Sequence, residues 1–196
     1  MPIFNLWRDP IVMLLLLASG VSWVIIVERL IVLWTSKRSD RAFVPGNLGS
    51  SSPLAVFHAE LTHHAGAGRE HIITILDTTI RRQRQRLESP LPVLGVIGST
   101  APYVGLLGTV IGIINAFAAI KAANNMSPSV VSGGIASALV ATAAGLAVAI
   151  PAVAAHHLLS AAIARRAAEW ESTVATWLPD PSREEQHSEP VTHAGR

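Results

Sequence analysis

Three long apolar stretches, separated by polar ones, set the plan of this chain. Ile11–Trp34 is apolar apart from Glu28 and Arg29, and the polar, mixed stretch Lys37–Pro90 follows it. From Leu91 the chain turns apolar again, with no acidic residue between Glu88 and Glu169. Lys121 is the sole charge between Glu88 and Arg165, and it splits that region in two. Each apolar stretch has the roughly 20 residues that carry a helix across a bilayer. The pattern predicts an all-α, polytopic membrane protein with three transmembrane helices. The first covers Ile11–Trp34 and the second Leu91–Ile120. The third runs from Val130 to Ala164, after a short turn over Lys121–Ser129. At ~1.5 Å per residue the third is about 50 Å long, more than a ~30 Å hydrocarbon core, so its end from His156 to Arg166 is expected to project into water. Pro102 and Pro151 fall inside the second and third helices, where each removes a backbone donor and predicts a kink.

The polar stretches carry weaker signals. Ser52 is placed to cap a short helix over Pro53–His64, since proline suits the first helical position. Gly66 and Gly68 break the chain, and Arg69–Leu87 shows a broken apolar stripe of Ile72, Ile73, Leu76, Ile80 and Leu87 that predicts a further helix. PGNLGSSSP at Pro45–Pro53 reads as a turn-rich linker. Ala167–Trp177 is compatible with helix, whereas Pro179–Arg196 reads as a disordered tail. Ile11–Trp34 has no basic leader and no A-x-A-like site after it, so no removable signal peptide is read. The resulting plan has four parts: 1–35 with the first span, a helical loop over 36–90, a hairpin over 91–164, and a tail over 165–196.

Within the hairpin, small residues recur at helical spacing. Gly105, Thr109, Gly112, Ala116 and Ala119 share one face of the second span, and Gly108 with Gly112 forms a GxxxG pair. Gly134, Ala138, Ala141 and Gly145 repeat the spacing in the third. Lipid tails give helices no hydrophobic push toward one another, so tight pairing needs small residues that let backbones approach. Both helices are therefore expected to pack closely, and the small faces predict an obligate oligomer.

Composition sharpens this picture. Only 14% of the 196 residues are charged, against roughly 25% in soluble domains. There is no cysteine, which excludes disulfides, thiol catalysis and cysteine metal sites. The net charge of +2 gives no reason to expect nucleic acid as a partner. The basic residues instead speak to topology. Lys37–Pro90 holds eight of them, Lys37, Arg38, Arg41, Arg69, Arg81, Arg82, Arg84 and Arg86. The stretch after the third helix adds Arg165, Arg166, Arg183 and Arg196, whereas the N-terminus has Arg8 alone and the hairpin turn Lys121 alone. The positive-inside rule then places the loop and the C-terminus in the cytoplasm and the N-terminus and hairpin turn outside. The run Arg81, Arg82, Arg84 and Arg86, just before the second span, fixes that topology and is also suited to acidic lipid headgroups.

No catalytic constellation stands out: there is no G-x-S-x-G, P-loop or H-E-x-x-H. His63–His64 and His156–His157 are adjacent pairs whose side chains do not share a helix face, so neither reads as a metal site. The polar residues inside the spans are Thr109 and Asn115 in the second and Ser132, Ser137 and Thr142 in the third. Hydroxyls in a helical bundle ordinarily bond to a backbone carbonyl or a neighbouring helix.

APYVGLLGTVIGI followed by GGIASALVATAAGLAVAIPAVAA resembles the second and third transmembrane helices of the ExbB/TolQ/MotA proton-channel family, on its ExbB/TolQ branch. The likeness runs from about Leu91 to about Leu159, and SWVIIVERL at Ser22–Leu30 adds a weaker match on the first helix. The resemblance implies a non-enzymatic, cofactor-free channel subunit in a bacterial inner membrane. It implies a homopentamer whose second and third helices line a pore around a single-helix ExbD- or TolR-like partner carrying an intramembrane Asp. A TonB- or TolA-like periplasm-spanning protein would receive the work. Thr109 in GLLGTV and Thr142 in ATAAGL match threonines that line the pore in that family. Members of the ExbB type often carry a Glu five residues before the second threonine; here that position is Ser137, which leaves the hairpin with no carboxylate. Gly105, Gly108, Gly112, Gly134 and Gly145 are expected to pack the helices. The alternatives are a non-conducting scaffold assembled through the glycine faces, a divergent flagellar-type stator subunit, and a membrane enzyme. Flagellar-type members have four helices and a larger cytoplasmic domain, and this chain has neither.

Overall fold

The computed structural model describes residues 10–41, 52–64, 66, 68–123 and 128–178. Among them are five helices and no strand: α1 (Pro10–Arg41), α2 (Pro53–His63), α3 (Arg69–Glu88), α4 (Leu91–Ala123) and α5 (Pro128–Ala175). The protein is all-α and polytopic. Spans long and apolar enough to cross a membrane lie within Pro10–Asp40, Arg69–Lys121 and Ser132–Ala175.

The helices outrun the apolar stretches that announce them. α1 continues past Trp34 to Arg41, and α5 passes Ala164 unbroken to Ala175. Hydrophobicity marks where lipid ends, whereas a helix ends only where its backbone loses its hydrogen bonds. Pro102 and Pro151 lie inside α4 and α5 without ending them. Arg8, most of the Pro45–Pro53 linker, residues 124–127 of the hairpin turn and the tail from Pro179 lie outside the described residues.

The chain divides into two compact units, Met1–Trp34 with Leu87–Ile163, and Thr35–Arg86 with Ala164–Arg196. In the first, α1 packs on α4 and α5 through two apolar clusters. One holds Leu15, Ala101, Val148 and Ala149; the other holds Ile26, Leu91, Leu94, Leu159 and Ile163. Polar ties accompany the second cluster. Arg29 donates through Nη1 to the Leu87 carbonyl at 3.2 Å and pairs with Glu28 at 3.1 Å. The His156 ring nitrogen Nδ1 lies 3.0 Å from the Leu91 carbonyl, and Gly95 leaves the room that this ring fills. Large apolar side chains elsewhere point outward, among them Leu17 (67% exposed) and Tyr103 (72%). Exposed apolar surface on this scale marks contact with lipid or with other protein.

The second unit is held by a buried polar cluster. Asp40, near the end of α1, is 8% exposed and Arg166 of α5 is 12% exposed, with Nη2 and Oδ2 2.6 Å apart. The same Asp40 oxygen accepts from Trp170 Nε1 at 2.8 Å, and its other oxygen accepts from the Ser52 hydroxyl at 2.5 Å. Ser52 also caps α2 as its pattern predicts, its oxygen accepting from the Leu54 amide at 3.1 Å. Phe57 of α2 meets the Trp170 ring edge-on at 5.8 Å. One carboxylate thus ties the ends of three helices together. On α3 the predicted stripe is real: Ile72, Leu76 and Ile80 are buried, whereas Ile73 is exposed.

Removing one partner of a buried pair typically costs about 3–5 kcal/mol, because the other charge is left without compensation. Arg166 keeps Glu169 at 2.9 Å, which offsets part of that loss. Asp40→Ala is therefore expected to destabilise the protein by about 3 kcal/mol, read as a lower melting temperature in detergent, and Asp40→Asn by less. An unchanged melting temperature in Asp40→Ala would show that the cluster contributes no stability.

Candidate functional site on the hairpin of α4 and α5

α4 and α5 run antiparallel, and the small residues set how close they come. A Cβ added at Gly112 would lie 2.7 Å from Ala138 Cβ, and one at Gly134 2.5 Å from Ala116 Cβ. Nearer the middle the contact is backbone on backbone. A Cβ at Gly105 would meet the Ala141 carbonyl at 2.8 Å, and one at Gly145 the Ala101 carbonyl at 2.6 Å. Gly98 continues the seam, since a Cβ there would lie 2.5 Å from Val153 Cγ2. Separations this short mean the two helices touch where side chains are missing, as the small-residue pattern predicts. All five glycines singled out in the sequence, Gly105, Gly108, Gly112, Gly134 and Gly145, face the partner helix of the same chain. Gly108 also borders α1, where a Cβ would lie 3.3 Å from Ile11 Cγ2.

The hydroxyls sit on this seam in different ways. Thr142 is half-buried and donates across it, from Oγ1 to the Gly105 carbonyl at 3.1 Å. Thr109 is one turn along α4 from Gly105, and its hydroxyl donates to the Leu106 carbonyl of its own helix at 2.6 Å. The two threonines are thus gathered about the same turn of α4. A threonine hydroxyl has one hydrogen to donate and two lone pairs, so each oxygen keeps its accepting capacity.

Ser137 is placed elsewhere. It lies five residues from Thr142, about 140° around the helix axis. Its hydroxyl donates to the Gly134 carbonyl at 2.9 Å. It opens into a groove of about 580 Å³ that Asn115, Gly112 and Ala138 also line, together with Pro10 and Ile11 from the first turn of α1. Thr109 and Thr142 do not line that groove. Thr142 is therefore tied to Gly105, four positions before Thr109 on α4, whereas Ser137 and Asn115 line a separate groove.

The remaining residues named from sequence are on other surfaces. Arg81, Arg82, Arg84 and Arg86 are exposed on the last two turns of α3. Arg81 Nε lies 2.8 Å from Asp77, and that hydrogen bond, followed by the Asp77 charge, raises the Arg81 pKa above its ordinary value. His63 and His64 stack edge to face, with ring centres 4.7 Å apart. Among the described residues no group of three or more His, Cys, Asp or Glu side chains is arranged to hold a metal ion. Three structural features escaped the sequence reading: the Asp40 cluster, the Arg29 bond to Leu87, and the extension of the seam to Gly98. Only the last had a signal, since Gly98 precedes Gly105 by seven residues and so shares its face.

Residues 50–172 match the profile of the MotA/TolQ/ExbB proton channel family. The Tol-Pal system protein TolQ of Haemophilus influenzae is 32% identical over 177 residues, covering 76% of this chain and 78% of that protein. The biopolymer transport protein ExbB of Neisseria gonorrhoeae is 32% identical over 183 residues, covering 78% and 83%. TolQ of Pseudomonas aeruginosa is 46% identical over 92 residues, which is 47% of this chain and 40% of that protein.

The seam makes a paired prediction. At Gly145 the obstacle is a backbone carbonyl, which cannot swing aside, whereas nothing lies within 4 Å of a Cβ at Gly133. Gly145→Val should lower hairpin stability by about 1–3 kcal/mol through overpacking. Gly133→Ala should be neutral or slightly stabilising, because alanine is the better helix former. Thermal denaturation of the two purified variants in detergent checks both, and equal melting temperatures would contradict the seam.

Proposed function

The chain belongs to the MotA/TolQ/ExbB proton channel family, and from that premise we propose that it is the channel-forming subunit of an ExbB–ExbD- or TolQ–TolR-like motor. The observation that carries the reading is the placement of Thr109 and Thr142 about one turn of α4, with Thr142 bonded to Gly105 across the seam. Helices α4 and α5 line a pore, five copies surround it, and a single-helix partner supplies an intramembrane Asp. Moving one elementary charge down 100 mV releases about 2.3 kcal/mol, and several protons per step drive work on a TonB- or TolA-like protein. No cofactor takes part. The protein lies in the bacterial inner membrane with its N-terminus periplasmic and its C-terminus, the 36–90 loop and the 165–196 tail cytoplasmic.

The hydroxyls have a defined part in this scheme. Their hydrogens are donated to carbonyls, so their lone pairs suit a protonated carboxylic acid, which needs an acceptor. When the partner Asp loses its proton it needs donors, and the threonines turn to supply them. The hairpin has no acid of its own, so its role is to solvate both forms of the partner's acid.

Threonine and valine have nearly the same shape, so Thr109→Val with Thr142→Val should leave protein level and oligomer size unchanged. Partner-dependent energy transduction in cells should fall at least tenfold, the equivalent of about 1.4 kcal/mol in the barrier. The Thr109→Ser, Thr142→Ser pair keeps both hydroxyls and should keep activity. Full activity in the double valine variant would defeat the pore assignment and return both threonines to a packing role.

Topology has its own test. Reporter fusions after Trp34, Lys121 and Arg196 should read cytoplasm, periplasm and cytoplasm. A periplasmic signal from the fusion at Arg196 would reverse the assignment.

A further inference from the structure

The last two turns of α3 hold four arginines, Arg81, Arg82, Arg84 and Arg86, all exposed. Successive helical positions turn by about 100°, so Arg82 and Arg86 share one face, Arg81 and Arg84 share an adjoining one, and the four together span about 200° of the helix. They form a partial collar about 7.5 Å deep. Their position along the chain is also fixed. α3 ends at Glu88 and α4 begins at Leu91, the start of a stretch that carries no charge until Lys121. Five residues separate Arg86 from Leu91, and a chain reaches at most ~3.5 Å per residue. In any arrangement the two Cα atoms are within about 18 Å.

The headgroup layer of a bilayer lies within that bound. A bilayer's headgroup layer occupies roughly the first 5–8 Å beyond the hydrocarbon. An arginine adds a long apolar stem that lets its guanidinium reach for a polar boundary. The collar is the first dense charge beyond the apolar span. From Arg81 to Glu88 four arginines face one glutamate, a net charge of +3. Asp77 occupies one donor of Arg81, but a guanidinium has five, and an exposed ion pair yields readily to a stronger anion. Guanidinium and phosphate match in geometry, each able to share two parallel hydrogen bonds with the other.

We propose that this partial collar is a binding site for the phosphate of anionic phospholipid headgroups, and that it holds such lipids beside the entry of α4 into the membrane. The site differs from the threonine seam in both location and chemistry. It rests on the chain spanning a membrane and not on its conducting protons.

The test uses the full-length protein in detergent with an equimolar mixture of phosphatidylglycerol and phosphatidylcholine, read by native mass spectrometry. Each arginine near an anionic surface favours binding by about fivefold. Wild-type protein should retain phosphatidylglycerol preferentially. Arg82→Gln with Arg84→Gln and Arg86→Gln should reduce that preference at least tenfold, whereas the matching triple Lys variant, which keeps the charge, should retain most of it. A glutamine variant with wild-type lipid preference would overturn the proposal. So would displacement of the lipid by equimolar glycerol phosphate, which would assign the collar to soluble phosphates, or tighter binding of duplex RNA than of phosphatidylglycerol vesicles. If the glutamine variant does not fold, salt decides on wild-type protein. The preference should collapse between about 50 and about 500 mM NaCl as the screening length shortens, and a flat response would overturn the site.

Discussion

The structure depends on the close approach of two helices that have no hydrophobic reason to meet. In lipid, apolar side chains are as well solvated outside a bundle as inside it. α4 and α5 come together because glycine and alanine remove the atoms that would hold them apart, leaving backbone surfaces in contact near Gly105 and Gly145. Attraction between atoms falls off steeply with distance, so small residues are what turn proximity into stability. Other features follow from that spacing. Thr142 can reach the Gly105 carbonyl only across a seam this narrow, and α1 lays Leu15 against Ala101, Val148 and Ala149 of the joined pair.

The small faces bear differently on assembly than their pattern suggests. A GxxxG pair is legible as a packing device but does not name the partner. Here Gly108 and Gly112 are occupied by α5 and α1 of the same chain. The side chains of α4 that point outward are instead large ones, such as Tyr103, Leu106 and Phe117.

Much of the fold was legible because the solvent imposes it. Apolar length predicts spans, and helical spacing of small residues predicts which faces meet, so Leu91, Gly105, Gly134 and the Ser52 cap all emerge from the chain itself. What was not legible depends on pairs distant in sequence. Asp40 and Arg166 are separated by 126 positions, and nothing local marks either as buried. The reach of α1 past Trp34 was also hidden, since its polar end has the composition of any solvated helix. Within the candidate site, Thr109 and Thr142 stood out through their sequence blocks. The placement of Ser137 on another side of α5 follows from simple helix geometry. The first turn of α1 as its neighbour required the fold.

The antiparallel seam also bears on how this sequence can change in length. Gly112 meets Ala138, Gly105 meets Gly145 and Gly98 meets Val153, so the contacts march in opposite directions along the two helices. One residue inserted between Gly98 and Gly112 would rotate everything beyond it by about 100° and carry it about 1.5 Å along the axis. Leucines such as Leu106 and Leu107, now on the outside, would then compete for positions where only a hydrogen atom fits. An insertion in the turn between α4 and α5 disturbs no such pairing. Natural variants of this hairpin should therefore differ in length at the turn and almost never within the two helices it joins.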